Sequence, residues 1–210
     1  MIGIFGGTFD PIHLGHLNIA EHCTKQLSLE KLYFMPCATP PHKSSANVSA
    51  DDRKNMINLA IKYNKKFDLD TRELNRTGAS YTILSLRELN VKFPDQSILF
   101  LIGMDSLNTL DTWYHWQEIT QLCHLVICQR PGQTFNPSVN TLNYLAQAKT
   151  SNIESLKSHK AGKAYFLKTP TLDVSSTNIR ENITQFDSIT NLLPKAVCQY
   201  IAQNNLYFSA

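Results

Sequence analysis

Short apolar runs alternate with amphipathic stretches along most of the chain. Apolar runs with little polar alternation predict parallel strands that are buried on both faces. They lie at Met1–Phe5, Leu32–Met35, Phe67–Leu69, Ile98–Ile102, Leu125–Cys128 and Ala164–Leu167. Apolar stripes at helical spacing, or capping patterns, predict helices between the strands. These lie at Pro11–Gln26, Ser49–Tyr63, Ile83–Val91, Ser138–Lys149 and Pro194–Asn204, with a further helix start at Ser175–Arg180. The alternation predicts one domain over residues 1–210, an α/β fold with a Rossmann-like parallel sheet and helices on both faces.

The first strand is followed by a pattern that predicts a tight turn into a helix. We expect the strand to stop at the pair Gly6-Gly7, because glycine takes positive φ and lets a ligand approach the backbone. Asp10 then serves as a helix cap, and Pro11 fits the first helical position without losing a hydrogen bond. The turn and the helix N-terminus together predict a site for an anion.

Two histidines follow this predicted helix start. His13 and His16 are three residues apart, so we expect their side chains to point the same way. Gly15 between them removes a side chain that would crowd a ligand. Imidazole donors beside a glycine turn indicate a phosphate site built for a nucleotide.

Composition and charge narrow the class of protein. The chain has 210 residues, 42% of them hydrophobic and 18% charged, which is typical of a globular protein and argues against disorder. The formal net charge of +3 gives no electrostatic reason to expect nucleic acid or a membrane as the main partner. No apolar stretch is long enough to span a bilayer, and the chain opens with a strand rather than a signal peptide. We therefore expect a cytoplasmic protein.

The cysteines suggest neither a disulfide framework nor a zinc site. They are odd in number, scattered and without CxxC spacing, so we expect reduced core thiols. They lie at positions 23, 37, 123, 128 and 198.

Each part of the opening motif has an ordinary structural interpretation when it is taken alone. Glycine turns are common in α/β folds, and a histidine pair at helical spacing also fits a partly exposed polar face. The combined stretch from Gly7 to His16, however, resembles the GxFDPxHxGH signature of the nucleotidyltransferases that share the "HIGH" histidine motif. Every fixed position of that signature is present.

Further stretches resemble one branch of that superfamily, the nicotinate-nucleotide adenylyltransferase family. They are Pro40–Lys43, Gly78–Thr82, Gly103–Asp105 with Trp113–Trp116, and Ser175–Arg180. Ala79 departs from the pattern, since the family usually has proline there. The resemblance implies transfer of AMP from ATP to nicotinate mononucleotide, which gives deamido-NAD and pyrophosphate in NAD biosynthesis. ATP and the mononucleotide are then the partners, without nucleic acid or membrane, and a homo-oligomer is allowed.

The resemblance assigns one group of residues to ATP. His13 and His16 would contact its phosphates, with His16 the better candidate for the α-phosphate in the transition state. The remaining predicted phosphate-binding residues are Gly6, Gly7, Thr8, Phe9, Lys43, Ser176, Thr177 and Arg180. Mg²⁺ would bridge phosphate oxygens rather than occupy a protein cage, so no protein metal ligand is expected.

A second group is assigned to the mononucleotide. Trp113 would stack on the pyridine ring, and the main-chain N–H groups of Thr82 and Tyr114 would bind the nicotinate carboxylate. Asp105 would contact a ribose hydroxyl. Core packing is the alternative for both tryptophans, and for Trp116 it is the interpretation we keep.

Competing functions come from two classes. Pantetheine-phosphate adenylyltransferases and cytidylyltransferases share the opening motif, but neither resembles the Trp113–Trp116 stretch in its setting. Nicotinamide mononucleotide carries an amide where nicotinate mononucleotide carries a carboxylate, and the two are otherwise the same. The choice of acceptor therefore rests on the resemblance. A nucleotide-binding sensor without catalysis would be favoured by loss of a histidine or of Arg180, and all are present.

Overall fold

The computed structural model describes residues 1–38, 46–129, 134–170 and 172–208. In this part of the chain the strands form one parallel sheet. They are β1 (Ile2–Gly7), β2 (Lys31–Pro36), β3 (Phe67–Leu69), β4 (Ile98–Gly103), β5 (His124–Gln129), β6 (Lys149–Thr150) and β7 (Ala164–Lys168). Their order is β3-β2-β1-β4-β5-β7-β6, which confirms the predicted Rossmann-like sheet. Only β6 has no counterpart in the sequence prediction, because two residues are too few for a hydrophobic pattern.

Helices cover both faces of this sheet. They are α1 (Leu14–Gln26), α2 (Ala50–Ile61), α3 (Thr82–Lys92), α4 (Met104–Asn108), α5 (Ile119–Leu122), α6 (Val139–Ala148), α7 (Glu154–Ser158), α8 (Ser176–Glu181), α9 (Phe186–Ile189) and α10 (Lys195–Gln203). Alternate residues of β4 enter different cores, since Leu99 packs with α1, α2 and α10 while Phe100 packs with α3 and α5. The prediction of helices on both faces is therefore confirmed. No helix in the described ranges has the length and apolarity needed to cross a membrane.

Serine caps explain several helix starts. Ser49 accepts a hydrogen bond from the Asp52 N–H at 3.0 Å and opens α2, as its spacing predicts. Ser138 and Ser175 cap α6 and α8 in the same way. The predicted boundaries of these helices agree with the structure to within a few residues.

The first helix begins later than the sequence predicts. It starts at Leu14 rather than near Pro11, and its cap is His13 rather than Asp10. The Asp10–Pro11 peptide bond is cis, and the Asp10 carboxylate accepts hydrogen bonds from Asn47 and Tyr207 instead of capping the helix. The predicted helix start at Pro11 was wrong because a tertiary contact takes the capping side chain.

The glycine pair also differs from expectation. β1 continues through Gly6 and Gly7, which pair in register with Met35 and Pro36 of β2. The positive φ of the following turn falls on Phe9, at 51°. The strand therefore ends at the glycine pair, as predicted, but both glycines belong to it and Phe9 takes the positive φ.

All five cysteines are free, as predicted. Four are buried, but Cys37 is only half-buried, at the carboxyl end of β2 beside the turn that follows β1.

Candidate active site

A cleft of about 520 Å³ opens at the carboxyl ends of β1 and β4. Connections from these neighbouring strands run to opposite faces of the sheet, and open α/β sheets bind ligands at such a switch point. Gly6, Gly7 and Thr8 line the cleft from the turn after β1. The four residues predicted for the mononucleotide also line it: Thr82, Asp105, Trp113 and Tyr114. The structure thus brings these two predicted sets together.

The start of α3 forms one wall of the cleft. Tyr81 is the N-cap of α3 and makes no side-chain capping hydrogen bond, so the first turn is left without a side-chain acceptor. Thr82, the first residue of α3, lines the cleft. The ring of Tyr114 packs against that of Tyr81, with ring centroids 4.7 Å apart, and 51% of the surface of Tyr114 remains exposed.

The two histidines lie against each other at the start of α1. Their rings stack with centroids 3.7 Å apart. The main-chain N–H of His16 donates to Nδ1 of the His13 ring, and the main-chain N–H of His13 donates to Nδ1 of the His16 ring, both at 3.3 Å. His13 is only 2% exposed, whereas His16 is half-buried and contacts the ring of Phe9. The shared direction of the two rings is confirmed, although His13 caps the helix rather than lying on it.

Gly15 has a different role from the one its position suggests. A Cβ there would approach Cγ1 of Val174 to 2.7 Å and Nδ1 of His13 to 3.0 Å. The space above Gly15 is therefore filled by protein, and glycine is needed for packing rather than to clear room for a ligand.

Helix α8 packs onto the loop that precedes the histidines. The Ser176 hydroxyl donates to the Pro11 carbonyl at 2.9 Å. One Arg180 nitrogen, Nη1, donates to the Asp10 carbonyl at 2.7 Å, and Nη2 donates to Oγ1 of Thr177 at 3.2 Å. Thr177 itself is exposed. These three predicted phosphate-binding residues therefore gather beside this loop, which comprises residues 8–13 and which we call the histidine loop.

Two predicted phosphate-binding residues stand apart. Phe9 is 2% exposed, and its ring packs against Phe5, Phe34 and His16, so only its main chain is open to a phosphate role. Lys43 and the rest of the Pro40–Lys43 stretch lie outside the described residues.

The structure adds Arg53, which the sequence analysis did not single out. It is 1% exposed, and its Nη1 donates to the carbonyls of Thr8, at 2.9 Å, and Cys37, at 2.7 Å. These bonds join the turns that follow β1 and β2. A lone arginine in an amphipathic helix resembles a solvent-facing position, so no sequence signal marks it.

Glu73 was also missed. It is 4% exposed, lines the cleft and accepts a hydrogen bond from the Ser85 hydroxyl at 2.6 Å. Burial raises the pKa of its carboxyl above the ordinary value. Its hydrogen bond to Ser85 ties it to α3.

Comparison with known proteins settles the family. Residues 4–182 match the family model described as cytidylyltransferase-like. The chain belongs to the cytidylyltransferase-like family. A relative from Psychromonas ingrahamii, named "Probable nicotinate-nucleotide adenylyltransferase", is 44% identical over 98% of this chain and 96% of its own length. A protein of the same name from Idiomarina loihiensis is 40% identical over 97% of this chain and 98% of its own length.

Solved structures of other proteins share the fold of this chain. Plasmodium falciparum nicotinic acid mononucleotide adenylyltransferase, complexed with APC, has a TM-score of 0.74 at 20% identity, over 100% of this chain and 98% of that one. The same enzyme complexed with NaAD has a TM-score of 0.72 at 20% identity, with the same coverage. At this level of identity the likeness shows the fold.

The described residues of this cytidylyltransferase-like chain do not form a protein metal cage. No group of three or more His, Cys, Asp or Glu side chains within those ranges is placed to hold a metal ion.

Proposed function

We propose that the protein transfers AMP from ATP to nicotinate mononucleotide, producing deamido-NAD and pyrophosphate in NAD biosynthesis. The observation that carries the proposal is the cleft at the switch point, which joins the glycine turn of the opening motif to the predicted mononucleotide residues. The name shared by relatives of 44% and 40% identity supports the same reaction.

The chemistry requires positioning more than proton transfer. A nucleotide 5′-phosphate has a second pKa of about 6, so near neutral pH it is already an anionic nucleophile. One of its oxygens forms a bond to the α-phosphorus of ATP while the bond from that phosphorus to pyrophosphate breaks. The protein accelerates this exchange by holding the two substrates in line and by stabilising the charge that develops.

We propose that the histidine loop holds the ATP side. His16, which is half-buried, contacts the α-phosphate in the transition state, and His13 supports it through the stacked ring. Main-chain N–H groups of Gly6, Gly7 and Thr8 approach the phosphates from the turn. Ser176, Thr177 and Arg180 lie beside the same loop, where they add donors for the outer phosphates.

Mg²⁺ is proposed to enter with ATP. It prefers oxygen ligands and usually keeps several waters, so phosphate oxygens suit it without a protein cage. It would neutralise charge on the pyrophosphate that leaves.

We propose that the cleft binds the acceptor. Trp113 stacks on the pyridine ring, and the main-chain N–H groups of Thr82 and Tyr114 bind its carboxylate. The exposed carboxylate of Asp105 contacts a ribose hydroxyl. The net charge of +3 gives no electrostatic reason to propose nucleic acid or a membrane as the main partner, and we propose that the enzyme works in the cytoplasm. The single-domain and homo-oligomer predictions stay predictions.

The test is pyrophosphate release with ATP and Mg²⁺, comparing nicotinate mononucleotide, nicotinamide mononucleotide and phosphopantetheine. A strong preference for the nicotinate form is expected. Preference for another acceptor would leave the roles proposed for the ATP-binding residues in place, but it would overturn the roles of Trp113, Thr82 and Tyr114. No release with any acceptor would favour the nucleotide-binding sensor.

A further inference from the structure

The Asp10 carboxylate is a buried group at the centre of the histidine loop. It is 4% exposed. Its Oδ2 accepts hydrogen bonds from the main-chain N–H of Asn47, at 2.8 Å, and from Asn47 Nδ2, at 2.9 Å. Its Oδ1 accepts from the hydroxyl of Tyr207 at 2.8 Å. A buried carboxylate depends on such donors, because each lost donor leaves an acceptor without compensation for the water it gave up.

Tyr207 reaches this loop from the other end of the chain. It follows α10 and adopts a left-handed conformation with φ of 71°, which non-glycine residues seldom take. Burial and the neighbouring Asp10 carboxylate raise the pKa of Tyr207, so its hydroxyl keeps its proton and acts as the donor.

The Asp10 contact bears on the histidines through the short loop between them. The Asp10 carbonyl accepts the Arg180 bond, and the next carbonyl, that of Pro11, accepts the Ser176 bond. His13 follows two residues later, where it caps α1 and stacks on His16. A shift of Asp10 would therefore move the cap that sets both rings.

We propose that Tyr207 is a positioning residue whose hydroxyl holds the Asp10 carboxylate and, through it, the loop that presents His13 and His16. The inference rests on the proposed adenylyl transfer and adds the C-terminal segment to the parts that reaction requires.

Tyr207→Phe tests it, because that change removes one hydroxyl and leaves the ring. Tyr200→Phe is the matched control. The Tyr200 hydroxyl donates to Oδ1 of Asp52 at 3.0 Å and accepts from Asn55 at 3.0 Å, so it also joins the C-terminal region to a carboxylate, but one on α2. Thermal unfolding of both variants measures any general loss of stability.

For Tyr207→Phe we expect kcat to fall about tenfold, because small displacements of reacting groups strongly lower the rate. The KM for nicotinate mononucleotide should stay unchanged, since that cleft is lined by other segments. Tyr200→Phe should keep the wild-type kcat. The imidazole NMR signals of His13 and His16, assigned by substitution, should shift in Tyr207→Phe and not in Tyr200→Phe.

A wild-type kcat in Tyr207→Phe, or an equal loss in Tyr200→Phe, would overturn the proposal. If the wild-type protein releases no pyrophosphate, the proposed function fails, and the NMR comparison then decides the position of the histidines by itself. Unshifted imidazole signals in Tyr207→Phe would overturn the inference in that case, and shifted signals would support it.

Discussion

The loop from Thr8 to His13 is hydrogen-bonded to distant segments of the chain, whereas the cleft between β1 and β4 is lined in part by exposed side chains. Arg53 donates to the Thr8 carbonyl, and Tyr207 donates to Asp10 from 197 residues away. On the cleft side, Asp105 is exposed and Tyr114 keeps half of its surface exposed. The two regions meet at the carboxyl end of β1.

The difference matches what each half of the reaction needs. Charge that develops on the transferring phosphate is best stabilised by donors already fixed before the reaction, because they need no reorganisation. An acceptor must enter and leave, so its site needs space and adaptable walls. Changes in the loop should therefore lower kcat, and changes in the cleft should raise the KM for the acceptor.

The largest effect is expected for His16→Ala. Removal of one donor to a developing negative charge lowers turnover by about a hundredfold to a thousandfold. ATP affinity should change little, because the contact is made mainly in the transition state. Steady-state kinetics and calorimetric ATP binding measure the two quantities. His22→Ala, on the same helix but outside the site, is the control, and an unchanged turnover in His16→Ala would remove the catalytic role.

Arg180→Lys should have the next largest effect. The guanidinium bonds to both the Asp10 carbonyl and Thr177, and a lysine ammonium cannot reproduce that fork. We expect kcat to fall about twentyfold from the combined loss of loop geometry and phosphate contact. Arg87→Lys, which alters an exposed pair with Glu118, is the control. A larger change in the acceptor KM than in kcat would place Arg180 with the cleft instead.

Trp113→Ala should affect the cleft rather than the loop, because Trp113 lines the cleft. Loss of a stacked ring costs roughly 1–3 kcal/mol, so the KM for nicotinate mononucleotide should rise about tenfold while kcat changes little. Trp116→Ala is the matched control, because that ring packs on Tyr144 and does not line the cleft. Equal Michaelis constants in Trp113→Ala and the wild type would count against stacking.

Glu73→Gln should give the smallest effect, on stability. Burial raises the folded-state pKa of Glu73 above the ordinary 4.5, so the folded state binds this proton more tightly than the unfolded state. The stability of the wild type is therefore lowered as pH rises from about 4.5 through the folded pKa, and glutamine removes that loss. Denaturant unfolding between about pH 4 and pH 7 measures the free energy of unfolding of both proteins. The variant should become more stable relative to the wild type as pH rises, and a difference that stays constant with pH would contradict this prediction.

Local patterns account for most of the fold. Runs such as Ile98–Ile102 were sufficient to place the strands, because a parallel strand buried on both faces is apolar throughout. Ser49 was sufficient to place the start of α2, because the main-chain N–H that it caps, that of Asp52, lies only three residues away. The resemblance of the opening motif and of the further stretches named residues such as Gly7 and Trp113, which the structure brings to one edge of the sheet.

Contacts between distant residues account for what the sequence did not predict. Asp10 does not cap α1 because its carboxylate is taken by Asn47 and Tyr207, and neither partner is adjacent in sequence. Arg53 bonds to Thr8 across 45 residues, and nothing in the pattern of α2 indicates that it is buried. Such contacts have no periodicity, so only the folded structure reveals them.

The most direct test of the division between loop and cleft is the ratio of kcat/KM for nicotinate over nicotinamide mononucleotide, measured in the wild type and in His16→Ala. The account predicts a ratio well above one in the wild type and the same ratio in the variant, since the histidine acts on ATP and the cleft selects the acceptor. A ratio that falls toward one in His16→Ala would show that the histidine loop takes part in acceptor selection and would contradict the account.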